Sequence, residues 1–277
     1  MAIITISRGT FSGGQRLAEC VAARLGYRCT SREVLAEAAK RYGVPEERLS
    51  QALTKSPSIL EHVTSERFRY LAFIRSALIK GALDEKIVYH GHAGHLLLSD
   101  VPHVLRVRVI ASMEFRTKAL TDHHNLSREE AIQLIKKVDE ERVRWTRFLY
   151  HVDWKNPSLY DVVVNLDHVG LPGACELVCQ TANMEQFKAT PESRKTMADL
   201  VLGSHLRAII ASNRGISDGD LHIGSDEGVI TITGTVGSLV DADRVRVMVR
   251  EAPGVKEIRS RMQVRLPVFT TSIVDES

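Results

Sequence analysis

The 277-residue sequence predicts an α/β fold, a parallel sheet flanked by helices, followed by a smaller α+β unit. Three observations carry that expectation. Short β-branched runs alternate with stretches of helical period instead of tight hairpin turns. A glycine-rich turn joins the first of these runs to the first helix. Beyond residue 195 the pattern changes to a helix, two closely spaced strands, a helix and a last strand.

Residues 2–7 are apolar and β-branched, as a buried strand requires. After Gly13-Gly14, Leu17, Val21, Ala22 and Leu25 recur at helical spacing until Gly26 stops the run. Ser65 is placed to cap a helix carrying Phe68, Leu71, Ala72, Ile79 and Leu83 on one stripe. Strands are expected at 87–90, 103–111 and 161–165. Between the last two, 127–150 reads as a charged helix opened by a capping box of Ser127 and Glu130. The polar stretch 183–195, with Pro191, reads as a linker. Then come a helix at 197–212, strands at 220–224 and 229–236, a helix at 239–251 and a strand at 255–264. In 229–236, Ile230, Ile232 and Val236 alternate with Val229, Thr231, Thr233 and Thr235, the period of a half-buried strand. The expected organisation is a first domain over 1–182, a linker, a second domain over 196–267 and a tail over 268–277.

Composition excludes several classes. Apolar residues make up 44% and charged residues 26%, ordinary globular usage, so a disordered or fibrous chain is ruled out. Lys plus Arg (37) against Asp plus Glu (34) leaves +3, too small a surplus for a nucleic-acid polyelectrolyte binder. No apolar run approaches the ~20 residues of a membrane span. The amino terminus has no signal-peptide pattern, so the cytoplasm is the expected compartment. Accordingly Cys20, Cys29, Cys175 and Cys179 read as reduced thiols.

The turn Ser7-Arg8-Gly9-Thr10-Phe11-Ser12-Gly13-Gly14-Gln15-Arg16 gathers backbone N–H groups at a helix amino terminus, an arrangement that suits phosphate. It is not a full P-loop, whose lysine and Ser/Thr positions fall here at Gly14 and Arg16. His90, His92 and His95 cluster at a strand end; with no close carboxylate, no metal site is assigned to them.

Ile6-Ser7-Arg8, Ser12-Gly13-Gly14, Leu17-Ala18 and Leu25-Gly26 resemble the start of the cytidylate-kinase-like family, a divergent branch of the P-loop nucleoside monophosphate kinases. Ser65-Glu66-Arg67-Phe68, Val88-Tyr89-His90-Gly91-His92, Val104-Leu105-Arg106-Val107, Asp139-Glu140-Glu141-Arg142 and Tyr160-Asp161-Val162-Val163-Val164-Asn165 continue the likeness in order. The resemblance implies a P-loop kinase fold and γ-phosphoryl transfer from ATP or another nucleoside triphosphate, with Mg2+, to a monophosphate such as CMP. It places Ser12, Gly13, Gly14 and Gln15 on the donor phosphates, Arg8 and Arg16 in place of the lysine, and Arg116, Arg142 and Arg147 in the lid. It puts Gly91, His92 and Asp139 on the acceptor side, Asp139 orienting an arginine or holding magnesium through water. Two positions depart from it: Phe11 stands where glycine is usual, and His92 where arginine is usual. A nucleotide-binding regulatory protein with a degenerate turn is the alternative those departures leave open. Residues 197–265, through Gly228 to Val236 and Pro253-Gly254-Val255, look like a BON domain, for which ligand binding, regulation, or assembly as a homo-oligomer or with a partner is implied.

Overall fold

The computed structural model describes residues 2–54, 65–83, 85–216 and 221–264. The expected Ser65 side-chain cap, residues 265–267 at the end of the expected second domain and the tail 268–277 lie outside the described residues.

The chain runs β1 (Ile3–Arg8), α1 (Gly14–Leu25), β2 (Arg28–Thr30), α2 (Glu33–Tyr42), α3 (Glu46–Thr54), α4 (Ser65–Ala82), β3 (Ile87–Tyr89) and α5 (Gly94–Leu97). It continues with β4 (Val104–Ile110), α6 (Met113–His123), α7 (Arg128–Tyr150), β5 (Val162–Asn165) and α8 (Leu166–Ala182). Last come α9 (Pro191–Ser212), β6 (His222–Asp226), β7 (Val229–Val236), α10 (Leu239–Arg250) and β8 (Glu257–Val264).

The first five strands form one parallel sheet in the order β2-β3-β1-β4-β5. β1 therefore lies at the centre, flanked by β3 and β4, and the crevice beyond its carboxyl end is where an open α/β sheet places a ligand. Alternate residues of β1 feed two apolar layers. Ile4 and Ile6 pack with Leu17 and Val21 of α1 and Val178 of α8, while Ile3 joins Phe73, Ile74 and Leu78 of α4 on the other face. The Ser127–Glu130 capping box is present at the start of α7. No helix among the described residues is long and apolar enough to cross a membrane.

β6, β7 and β8 form a separate three-stranded sheet, β7 antiparallel to β6 and parallel to β8. Ile230, Ile232 and Val236 face its core with Val245 and Val249 of α10, as their alternation predicts.

Two sequence expectations need correction. The stretch read as a linker is structured: Glu185–Phe187 is a 3-10 turn, and α9 begins at Pro191 behind a capping box of Thr190 and Ser193. Proline at the first helical position starts a helix, because its missing N–H would be unpaired there anyway. This 22-residue helix serves both cores, with Met197, Ala208 and Ala211 in the α4 layer and Leu206 and Ile210 under the small sheet. Secondly, Cys20 of α1 and Cys175 of α8 are joined in a disulfide, with Cα atoms 6.1 Å apart. A separation of 155 residues hid that neighbourhood; α1 and α8 pack together on one face of the sheet.

Because α9 belongs to both cores, we expect the two units to unfold together. Ala208→Asp, which buries an unpaired carboxylate, should cost about 3 kcal/mol or more and lower a single calorimetric transition. Two transitions, only one of them displaced, would contradict the shared helix.

Candidate active site

The site is built on the carboxyl end of β1 and the turn that follows. The Ser12 N–H and hydroxyl both donate to the Gly9 carbonyl, at 3.3 and 3.0 Å, closing the turn on itself. Gly13, at φ 80°, starts α1 with no side-chain cap, so the first-turn amides of Gly14, Gln15 and Arg16 have no intrahelical partners. Gly14 has a different reason to be glycine: a Cβ there would stand 2.7 Å from Cβ and Cδ of Arg8. The Arg8 side chain thus lies across the helix amino terminus, at the position a P-loop gives to lysine.

Phe11 adopts φ 57°, a left-handed conformation that glycine takes without strain. Its ring packs with Met113 and Leu126 against Leu120, Ala131 and Ile135, and meets His124 edge-on at 5.7 Å. Phe11 therefore fastens the turn to α6 and α7 and forms a wall of the adjoining cavity.

Arg116 and Asp139 hold the turn from the other side. Arg116 Nε donates to the Thr10 carbonyl at 2.7 Å and its Nη2 to Asp139 at 2.6 Å. Asp139 accepts the Thr10 N–H at 3.2 Å and hydroxyl at 3.0 Å. Arg116, read from sequence as a lid cation, and Asp139, read as an acceptor-side group, line neither cavity described below. Both are spent on fixing Thr10. Arg147 pairs with Asp153 at 3.6 Å on the exposed surface, also away from both cavities.

A larger cavity of about 720 Å3 opens beside the turn, lined by Gly13, Gly14, Gln15, Arg16, Phe115 and Asp167 among others. A smaller one of about 180 Å3 lies between β1, β3 and α7, with Arg32, Gly91, His92 and Trp154 in its wall. Arg8 and Arg142 line both. Arg8 Nη1 donates to the His90 carbonyl at 2.6 Å and contacts His90 Nδ1 at 3.0 Å. Arg142 Nη1 donates to the Arg8 carbonyl, and its Nε donates to His92 Nε2 at 3.1 Å. The Nη2 groups of both arginines have no hydrogen-bond partner among the described residues. Burial lowers the pKa of Arg8, and lowers that of Arg142 to about 10 against the opposing pull of Asp139. Both remain cations at neutral pH.

Among the described residues no group of three His, Cys, Asp or Glu side chains is placed to hold a metal ion. Each imidazole of His90, His92 and His95 has a protein partner. His95 Nε2 lies 3.2 Å from the Tyr160 hydroxyl, which itself donates to the Trp154 carbonyl at 2.7 Å. Burial, helped by neighbouring arginines, pushes both His92 and His95 down to about 3.

Sequence reasoning missed Trp154, Phe115, Leu166 and Asp167. The last three sit just past the carboxyl ends of β4 and β5, where strand order alone would have pointed. Trp154 lies in an irregular segment and carries no periodic signal.

Two outcomes follow from this geometry. Phe11→Ala keeps the left-handed backbone cost and loses the ring's contacts, whereas Phe11→Gly loses the contacts alone. The glycine variant should be the more stable of the two by about 1 kcal/mol in urea titrations; the reverse order would contradict the assigned backbone. His92 and His95 stay neutral when folded, so an unfolded chain takes up protons below the ordinary value of 6.5 that the folded one refuses. Stability should therefore fall as pH drops from about 7 to about 5, and His92→Gln with His95→Gln should flatten that slope. An unchanged slope in urea midpoints would show the imidazoles are not held neutral.

Comparison with known proteins agrees with this architecture. Residues 3–168 match the model of the cytidylate kinase-like family, and residues 198–265 match that of the BON domain. Among curated relatives, the cytidylate kinase of Methanothrix thermoacetophila is 27% identical over 164 residues, covering 59% of this chain and 87% of that protein. The cytidylate kinase of Sulfurisphaera tokodaii is 24% identical over 168 residues, covering 60% and 87%. The crystal structure of an uncharacterised protein from Eubacterium ventriosum superposes with a TM-score of 0.52 at 20% identity, covering 66% of this chain and 98% of that one. The family match spans more than half of the sequence and contains the central strand, the glycine turn and both arginines that join the cavities: the chain belongs to the cytidylate kinase-like family.

Proposed function

We propose that this protein is a nucleoside monophosphate kinase-like phosphotransferase. A nucleoside triphosphate such as ATP occupies the larger cavity and a monophosphate such as CMP the smaller one. The observation that supports this most is the pair of guanidiniums, Arg8 and Arg142, common to both cavities. Phosphoryl transfer needs in-line positioning and fixed positive charge more than covalent help from the protein. An oxygen of the acceptor phosphate attacks the γ-phosphorus while the bond to the β–γ bridging oxygen breaks, leaving two diphosphates. Arg8 supplies the charge of the absent lysine and Arg142 faces the moving group. Amides of Gly13, Gly14 and Gln15 hold the donor phosphates, with exposed Arg16 at the rim. Ser12, its N–H spent on Gly9, shapes the turn; Gly91 and His92 wall the acceptor side.

Asp139 is not free to hold magnesium, since both its oxygens are engaged by Thr10 and Arg116. Magnesium belongs to the substrate in this reading, as Mg-NTP held by phosphate oxygens and water. The BON domain, coupled to the kinase core through α9, is assigned a regulatory, ligand-binding or assembly role. The cytoplasm is the compartment this chemistry fits; the Cys20–Cys175 disulfide is the feature at odds with it.

A second reading, nucleotide binding without efficient turnover, is favoured by one observation: the Ser12 amide faces Gly9 and is withdrawn from the phosphate seat. One experiment separates the two. With Mg-ATP and CMP the protein should yield ADP and CDP, and Arg8→Ala or Arg142→Ala should lower kcat by about 100- to 1000-fold. Background turnover with every common monophosphate, together with a Tm raised by ATP, would establish the second reading in place of the first.

A further inference from the structure

We infer that His92 is a positioning residue whose neutral imidazole fixes the Arg142 guanidinium at the junction of the two cavities. Arg142 is restrained at three points: its Nε by His92 Nε2, its Nη1 by the Arg8 carbonyl, and its plane by the Trp154 ring, whose centroid is 5.5 Å away. The unspent Nη2 is left for a ligand. Arg108 stacks on the same indole at 4.3 Å, so the indole borders two guanidiniums.

The direction of the His92 bond follows from chemistry. A guanidinium only donates, so Nε2 accepts and the ring proton sits on Nδ1. An imidazolium would lose that lone pair and add a positive charge beside Arg142 of α7 and Arg8 of β1. Tyr89 of β3 donates its hydroxyl to the His92 carbonyl at 3.3 Å, which steadies the backbone. His90, two residues earlier, is turned to Arg8. Burial and the two arginines govern the ring. In this arrangement His92 serves the acceptor side through Arg142 and does not itself carry charge to a phosphate.

The kinetic part of the test rests on the phosphotransferase reading; the spectroscopic part does not. Histidine nitrogen-15 NMR on the full chain should find His92 protonated on Nδ1 and uncharged from about pH 8 to about pH 5, and Arg142→Gln should let it titrate nearer the ordinary range. A wild-type His92 protonated on Nε2, or titrating near about 6.5, would overturn the inference. In turnover, His92→Leu should lower kcat by about 100-fold with little change in the acceptor KM, and His92→Gln, whose amide oxygen accepts the same bond, should recover at least about a tenth of the wild-type rate. A rise in acceptor KM alone, unrescued by glutamine, would make His92 a direct acceptor ligand and refute positioning. If wild type turns over no monophosphate, the phosphotransferase reading fails while the NMR result still decides the role of His92.

Discussion

Arg142 of α7 donates to the backbone carbonyl of Arg8 at the end of the central strand, and the side chain of that same Arg8 crosses the start of α1. This brace joins β1 and α1, neighbours in sequence, to α7, which lies far along the chain from both. It also places two guanidiniums where the two cavities adjoin. Like charges at close range are unfavourable in a buried setting, and here backbone carbonyls and imidazoles offset that cost by accepting hydrogen bonds from both groups. The neighbouring groups are consistent with that demand. Gly14 lacks a side chain so that Arg8 can pass, and His90 and His92 stay uncharged so that they can accept.

An arginine–aspartate pair braces the turn without facing either cavity. Arg116 and Asp139 form a mostly buried ion pair, and its hydrogen bonds to Thr10 hold the turn at a fixed distance from α7. Phe11 pins the next residue into the α6–α7 cluster. The turn is thus held from both sides by α6 and α7, so its shape depends on where those helices sit. The left-handed backbone at Phe11 is the local strain that this attachment sustains.

Much of the fold was legible because its signals are local. The β-branched run before the glycine turn, the Ser127–Glu130 capping box and the alternation in 229–236 each specify structure within a few residues. What escaped reading depends on distance or direction. Pro191 looked like a breaker until its place at the first turn of α9 was known, and the Cys20–Cys175 contact spans the sheet face. The site divides in the same way. The glycine turn and its arginines were recognisable by type and order, yet nothing in sequence distinguishes Arg142, which faces the cavities, from Arg116, which is turned to Thr10 and Asp139. Trp154 was invisible because a lone aromatic in an irregular segment has no period to betray it.

In the proposed phosphotransferase, Arg8 and Arg142 sit between two nucleotide seats and act on whatever spans them. Calorimetric titration with a bisubstrate analogue, adenosine and cytidine joined through a phosphate chain, tests this most directly. Binding at least about 100-fold tighter than either nucleotide alone is expected, with that advantage removed by Arg142→Ala while the single nucleotides bind nearly as before. An analogue that binds no better than its stronger half, or an advantage untouched by Arg142→Ala, would contradict it.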